Sequence, residues 1–123
     1  MRLLQWLAIR DAIELVTPYE DLICDGSPAP QGSLHSLSSS AVVNAMVDDN
    51  DGTLLIASST MPAGAASSFV VQSAKGDDSW LLCDLATKRS VVASASGKAA
   101  WASKSELGSV LVFGRATACH KTR

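Results

Sequence analysis

From Ala41 onward, short apolar runs alternate with turn-forming residues. The runs that predict strands are Ala41–Val47, Thr53–Ser58, Ser68–Gln72, Trp80–Leu85, Ser90–Ala95, Ala99–Ala102 and Ser109–Phe113. Turn residues separate these runs, and Asp51-Gly52 is a strong signal for a tight hairpin. No helical pattern intervenes, which disfavours a parallel sheet of βαβ units. We therefore expect a mainly β fold, an antiparallel β-sandwich of about six or seven short strands behind one N-terminal α-helix.

The N-terminal helix is predicted over residues 3–17, which contain neither Gly nor Pro and place apolar residues at helical spacing. We expect it to end at Thr17, because a residue that precedes proline avoids the α conformation. Its first turns are apolar on nearly all sides, so they need burial on more than one side. The candidate partner-binding residues are therefore Leu3, Leu4, Trp6 and Leu7. Their exposure would favour a partner protein, a neighbouring domain or a homo-oligomer.

The chain divides into four predicted segments. They are a helix and turn over residues 1–26, a Ser/Pro/Gly-rich linker or loop over 27–40, a β-sandwich domain over 41–114 and a flexible basic tail over 115–123. Within the first segment, Leu22–Cys24 is expected to form a short turn or strand. The whole chain has 123 residues, the length of one ordinary domain.

Composition and charge exclude some classes of function. Hydrophobic residues make up 47% of the chain and charged residues 18%, so intrinsic disorder of the whole chain is not expected. The net charge of −2 and the absence of a basic stripe exclude nucleic-acid binding. No run of 18 apolar residues exists, so no membrane span is expected. The N-terminus lacks the long apolar core and cleavage site of a signal peptide, and the default expectation is a cytoplasmic protein.

The three cysteines are Cys24, Cys83 and Cys119. An odd number at wide spacing indicates neither a disulfide framework nor a CxxC metal site. We therefore expect buried free thiols in a reducing compartment.

Candidate catalytic and metal-binding groups have simpler interpretations. The acidic loop Asp48–Gly52 is similar to a calcium loop, but with Gly52 at the sixth position Val47 and Ser58 occupy the first and twelfth, so a solvated turn is favoured.

A Cys–His pair would need a cysteine near His35 or His120. Adjacent carboxylates at Glu20/Asp21 and Asp77/Asp78 lie in predicted turns. No nucleophile elbow, phosphate-binding loop or dinucleotide fingerprint is present. The sequence predicts no catalytic residue, no metal site and no cofactor.

Trp80 and Trp101 each lie in a predicted strand. Aromatic rings on the surface of a β-sandwich can stack on sugars, so both are candidate ligand-stacking residues for a carbohydrate. The alternative is that the two rings are the main core anchors of an alanine-rich domain.

Two segments resemble the end of a TIM-barrel glycoside hydrolase or a related barrel protein. They are residues 9–28, IRDAIELVTPYEDLICDGSP, and the strand series that contains WLLCDLATK (80–88) and LGSVLVFG (107–114). In those proteins a last barrel helix and a proline turn lead into a C-terminal antiparallel β-sandwich. The sequence departs from their pattern at Lys88, where a glycine normally makes the turn. The resemblance implies that any catalytic carboxylates lie upstream, on a barrel, and not in this chain.

The sequence therefore favours a non-catalytic accessory β-domain, structural or weakly carbohydrate-associated, within a larger glycosidase-like protein. An alternative is a free-standing protein that binds a partner or self-associates through its apolar helix. A small serine hydrolase is a third hypothesis.

Overall fold

The structure is a computed structural model, and it describes residues 13–14, 16–37, 41–60, 66–73, 79–104 and 109–119. Within this part the chain is mainly β. The strands are β1 (Ser27–Pro28), β2 (Leu34–Ser36), β3 (Ala41–Val47), β4 (Leu54–Thr60), β5 (Ala66–Gln72), β6 (Trp80–Asp84), β7 (Ser90–Val92), β8 (Lys98–Lys104) and β9 (Ser109–Arg115). The short helices are a 3₁₀ turn (Thr17–Tyr19), α1 (Glu20–Asp25) and α2 (Ala116–Cys119).

The strands form two antiparallel sheets. The large sheet has the order β1-β3-β4-β9-β6-β7, and the small sheet has the order β2-β5-β8. In the large sheet, the hairpin of β3 and β4 pairs residues from Val47↔Leu54 to Ala41↔Thr60. In the small sheet, β5 pairs with β8 with Phe69 opposite Trp101.

The main core lies between the two sheets, because alternate residues of each strand point inward. From the large sheet it contains Leu54, Ile56, Trp80, Leu82, Leu111 and Phe113, and from the small sheet it contains Phe69, Val71, Ala99 and Trp101. The rings of Trp80 and Phe113 lie 5.2 Å apart, tilted by 58°, which is a favourable aromatic arrangement. Trp80 and Trp101 are the largest of the fully buried side chains in this core.

A second cluster covers the outer face of the large sheet. Tyr19, Leu85 and Val112 are buried there, and Leu55 and Ala118 pack against them. The central strand β9 is therefore apolar on both faces, with Leu111 toward the main core and Val112 toward the second cluster.

The predicted N-terminal helix lies mostly outside the described residues, although Ile13, Glu14 and Val16 are helical. The chain does not leave the helical conformation at Thr17 as expected, because the 3₁₀ turn and α1 follow directly. Pro18 fits at the start of the 3₁₀ turn, where its missing N–H is not required. The expected turn or strand at Leu22–Cys24 is instead part of α1.

The segment 27–40 was expected to be a linker or loop, but it contributes a strand to each sheet. Ser27 pairs with Val47 and Pro28 with Met46, and β2 pairs with β5. Proline is tolerated here because β1 is an edge strand.

The segment 115–123 was expected to be a flexible basic tail, and its described part is ordered. Arg115 is the last residue of β9 and residues 116–119 form α2. Cys119 is only 7% exposed, and residues 120–123 lie outside the described part of the chain.

Candidate functional site

Trp80 and Trp101, the predicted ligand-stacking residues, lie in the main core. Each residue is 2% exposed, and the two belong to different sheets. Sugar stacking needs an accessible ring face, and neither ring has one in this structure. The predicted role of both residues is therefore corrected: their positions are those of core anchors.

Trp101 is closed off by Arg89, which lies beside it at the edge of the small sheet. The guanidinium carbon is 4.2 Å from the centre of the Trp101 ring, a distance at which cation–π attraction stabilises the pair. The same guanidinium donates a hydrogen bond of 3.0 Å to the Ala102 carbonyl. Arg89 therefore covers part of the β8 edge as well as the ring, and a charged group on an edge strand opposes pairing with another chain.

Both indole nitrogens lack a hydrogen-bond partner within the described part of the chain. A buried unpaired donor costs about 1–3 kcal/mol. The two rings therefore stabilise the fold by apolar burial and by their aromatic contacts.

The partner-binding candidates Leu3, Leu4, Trp6 and Leu7 lie outside the described residues. What the structure describes of the same N-terminal segment begins at Ile13. Tyr19 and Leu22 are buried at 3% and 6% exposure, whereas Ile13 and Ile23 are 57% and 39% exposed. The described segment is thus apolar toward the sheet and also carries aliphatic side chains toward solvent.

Cys83 and Cys119 form a disulfide, so the expectation of three buried free thiols is wrong. Their Cα atoms are 5.9 Å apart, and the two residues are separated by 36 positions. Cys24 has a free thiol, but it is exposed rather than buried. The bridge joins α2 to β6 and fixes the C-terminal turn on the outer face of the large sheet.

Tyr19 reaches the same turn from the N-terminal side. Its hydroxyl donates a hydrogen bond of 2.5 Å to the Ala118 carbonyl, and the Cys119 carbonyl lies 3.5 Å away. Its ring packs in the second cluster with Val112. We call Tyr19, Cys83, Val112, Ala118 and Cys119 the terminal clamp.

The terminal clamp depends on a glycine in β9. A Cβ atom at Gly114 would lie 3.1 Å from the Ala118 Cβ and 2.9 Å from the Thr53 Oγ1. Gly114 therefore allows α2 to approach the sheet closely enough for Tyr19 and Cys83 to hold it.

A Cys–His nucleophile pair was an alternative that the sequence did not favour, and Cys119 does not provide one in the described part of the chain. Cys119 cannot supply a thiolate while it is bonded to Cys83, and His120 lies outside the described part of the chain. His35 is exposed on β2, opposite Val70 in the small sheet. Glu20 and Asp21 are exposed in the first turn of α1, and Asp77 and Asp78 lie outside the described residues.

The acidic loop has the hydrogen bonding of a turn. The Asp48 carboxylate accepts the amide of Asn50 at 2.8 Å, and the Asp51 carboxylate accepts the amide of Thr53 at 2.9 Å. Gly52 adopts a φ of 81° and donates its amide to the Asp48 carbonyl at 2.8 Å. These carboxylates are directed at the backbone of their own loop. Nowhere in the described residues do three or more His, Cys, Asp or Glu side chains gather as metal ligands would.

Asp84 is 6% exposed and has a similar role in the hairpin between β6 and β7. Its carboxylate accepts the amides of Ala86 at 2.8 Å and Thr87 at 3.1 Å. Lys88 completes this turn with a φ of 65°. This is the position at which the resembling family has glycine, and the left-handed conformation is the physical reason for that preference.

The sequence did not indicate the terminal clamp. An odd number of cysteines gives no pairing, and Tyr19 is followed by polar residues in a short helix. One signal was available: Cys83 alternates with Leu82 and Asp84 on β6, which places it on the outer face where α2 lies.

Comparison with protein-family models, with curated proteins and with solved structures finds no match to this chain. Among the described helices, none has the length and apolar character to cross a membrane. The resemblance to barrel glycoside hydrolases therefore stays a prediction.

Proposed function

We propose that the chain is a non-catalytic accessory β-sandwich domain with a structural role. The supporting observation is that several buried or loop-bound carboxylates and cysteines among the described residues already stabilise the fold. Asp48, Asp51 and Asp84 bind the backbone amides of turns, and Cys83 and Cys119 hold α2. The larger protein that it serves would be a barrel protein, as the sequence resemblance implies.

A carbohydrate role has less support than a structural one. All described aromatic side chains are 3% exposed or less: Tyr19, Phe69, Trp80, Trp101 and Phe113. Stacking on sugars would therefore need a ring outside the described residues.

We also propose that the protein works in an oxidising compartment. Disulfides persist in secreted and other oxidising compartments and are rare in the reducing cytosol. The bridge between Cys83 and Cys119 therefore supports an oxidising location over the cytoplasmic default.

A turnover screen of the purified full chain tests the non-catalytic role. The substrates are chromogenic esters and glycosides at high enzyme concentration, and we expect rates equal to those of a buffer blank. Turnover that co-elutes with the chain and is lost on heat unfolding would contradict the proposal.

A second candidate function is self-association through the outward side of the N-terminal segment. The exposure of Ile13 and Ile23 favours self-association. A helical segment that buries one apolar side on its own sheet and exposes a second apolar side needs a further covering surface. Light scattering after size-exclusion chromatography is the test. A dimer that the Ile13→Asn/Ile23→Asn chain no longer forms would support self-association, whereas a monomeric wild-type chain would rule it out. The matched control is Val92→Asn, which changes an exposed residue of β7, 67% exposed, outside the segment.

A further inference from the structure

We propose that the terminal clamp is a redox-sensitive device that couples the Cys83–Cys119 bridge to the docking of the N-terminal segment. This inference goes beyond the structural role proposed above and does not depend on it. It rests on one juxtaposition: the residue that closes the disulfide, Cys119, directly follows the residue whose carbonyl binds the Tyr19 hydroxyl, Ala118.

The first step is the weakness of α2 without its bridge. The helix has four residues, Ala116–Cys119, and a helix this short is not stable by itself. Its buried described residue is Cys119, and Ala118 is half-buried against Gly114. Apart from the peptide bond that joins α2 to the end of β9, the covalent bond to Cys83 is therefore the strongest connection between this turn and the sheet.

The second step is the dependence of Tyr19 on that turn. Tyr19 is 3% exposed, and its hydroxyl lies at the carbonyl end of α2, 2.5 Å from the Ala118 oxygen. When α2 leaves the sheet, the buried Tyr19 hydroxyl loses the Ala118 carbonyl as an acceptor. The Tyr19 ring also loses its cover, because Ala118 packs against the second cluster. Losing a hydrogen bond at a buried position costs free energy, so Tyr19 and the adjoining helix α1 become easier to detach.

The third step is the chemistry that opens the clamp. One thiolate of a dithiol attacks a sulfur of the bridge and forms a mixed disulfide, and the second thiolate then displaces that sulfur. The dithiol is oxidised to a disulfide. Its two electrons and two protons are transferred to the protein disulfide, which becomes two thiols at Cys83 and Cys119. Both cysteines are buried, at 4% and 7% exposure, so the attack needs a transient opening of α2. Because α2 is a single turn at the end of the described chain, that opening does not require unfolding of either sheet.

Opening the clamp would uncover an apolar surface. Val112 is fully buried under Tyr19, and Leu55 and Val110 lie half-buried beside it. The reduced state would therefore present the outer face of β4 and β9, which the oxidised state covers.

Hydrogen exchange followed by mass spectrometry tests the coupling on the intact chain. The oxidised protein is compared with the same protein in excess dithiothreitol. We expect amide exchange to accelerate about tenfold in residues 20–26, as for the loss of one buried hydrogen bond, and also in residues 116–119. Exchange in the paired strands β3 and β4 should stay unchanged.

Two variants separate coupling from a local effect. Tyr19→Phe removes the hydroxyl and should accelerate exchange in residues 20–26 without reductant, while residues 116–119 stay protected by the bridge. Reduction of that variant should then add little in residues 20–26. Cys24→Ser removes the exposed free thiol and should leave the response to dithiothreitol intact.

Three results would overturn the proposal. Reduction that frees residues 116–119 but leaves residues 20–26 unchanged would show that the two ends are not coupled. Loss of the response to dithiothreitol in Cys24→Ser would show that the response comes from Cys24 and not from the Cys83–Cys119 bridge. Simultaneous exchange of β3 and β4 would show global unfolding instead of a local device.

Discussion

Ser58 and Ser67 form a hydroxyl pair that connects the two sheets inside the core. Ser58 lies on β4 of the large sheet and Ser67 on β5 of the small sheet, and their oxygens are 2.7 Å apart. Each residue is 6% exposed. The pair exists only if the two sheets face each other in the observed alignment, so it reports directly on the packing.

Replacing one serine leaves the other hydroxyl buried without this partner. We expect Ser58→Ala and Ser67→Ala each to lower the free energy of unfolding by about 1–3 kcal/mol, the cost of an unpaired buried polar group. The double variant removes both hydroxyls together and should cost about the same as one single variant or less. The expected coupling between the two sites therefore matches the cost of the second single variant, about 1–3 kcal/mol.

Urea unfolding followed by tryptophan fluorescence measures these free energies by linear extrapolation. The control is Ser59→Ala, because Ser59 is the exposed neighbour on β4, and its effect should stay within about 0.5 kcal/mol. Single costs that simply add in the double variant would refute the reasoning, since the two hydroxyls would then not meet across the core.

The disulfide and two turn positions give further expected changes in the free energy of unfolding, which urea unfolding measures, and in Tm, which thermal unfolding measures. Replacing Cys83 and Cys119 with alanine should cost about 4 kcal/mol from the chain entropy of a loop of 36 residues, on the order of 15 °C in Tm; an unchanged Tm would contradict a native bridge. Lys88→Gly should stabilise the chain by about 0.5–1 kcal/mol because φ is 65° there, whereas the adjacent Thr87→Gly should destabilise it. Gly26→Ala should cost about 2 kcal/mol or more, because its Cβ would lie 2.3 Å from the Leu22 oxygen; a neutral effect would place the end of α1 elsewhere.

Much of the sheet structure was predictable from the sequence. The seven apolar runs all form strands, with bounds that differ by a few residues, because turn residues separate them and alternate residues share a face. The same alternation places Trp80 with Leu82 on the inward face of β6, as the structure shows. That parity was available in the sequence and favoured the core over a sugar site.

The missed strands depend on distant partners. Ser27–Pro28 and Leu34–Ser36 lie within the stretch 27–40, which is rich in Ser, Pro and Gly, and this composition indicates a loop because Pro and Gly have low strand propensity. Their pairing with β3 and β5 supplies the hydrogen bonds that local sequence does not predict. Short edge strands of this kind are set by tertiary context.

The candidate site was less predictable than the fold. The terminal clamp joins Tyr19 to Ala118, 99 positions apart, and no local pattern encodes a contact at such separation. The apolar surface predicted at Leu3, Leu4, Trp6 and Leu7 lies outside the described residues, so it stays a prediction.

The pairing of Cys83 with Cys119 is the observation on which both the terminal clamp and the proposed oxidising location depend. The measurement is mass spectrometry of a non-reduced digest of the chain, prepared under conditions that block free thiols. We expect one linked peptide pair joining Cys83 to Cys119 and a blocked thiol at Cys24. Three blocked thiols, or a bridge that includes Cys24, would contradict both the terminal clamp and the oxidising location.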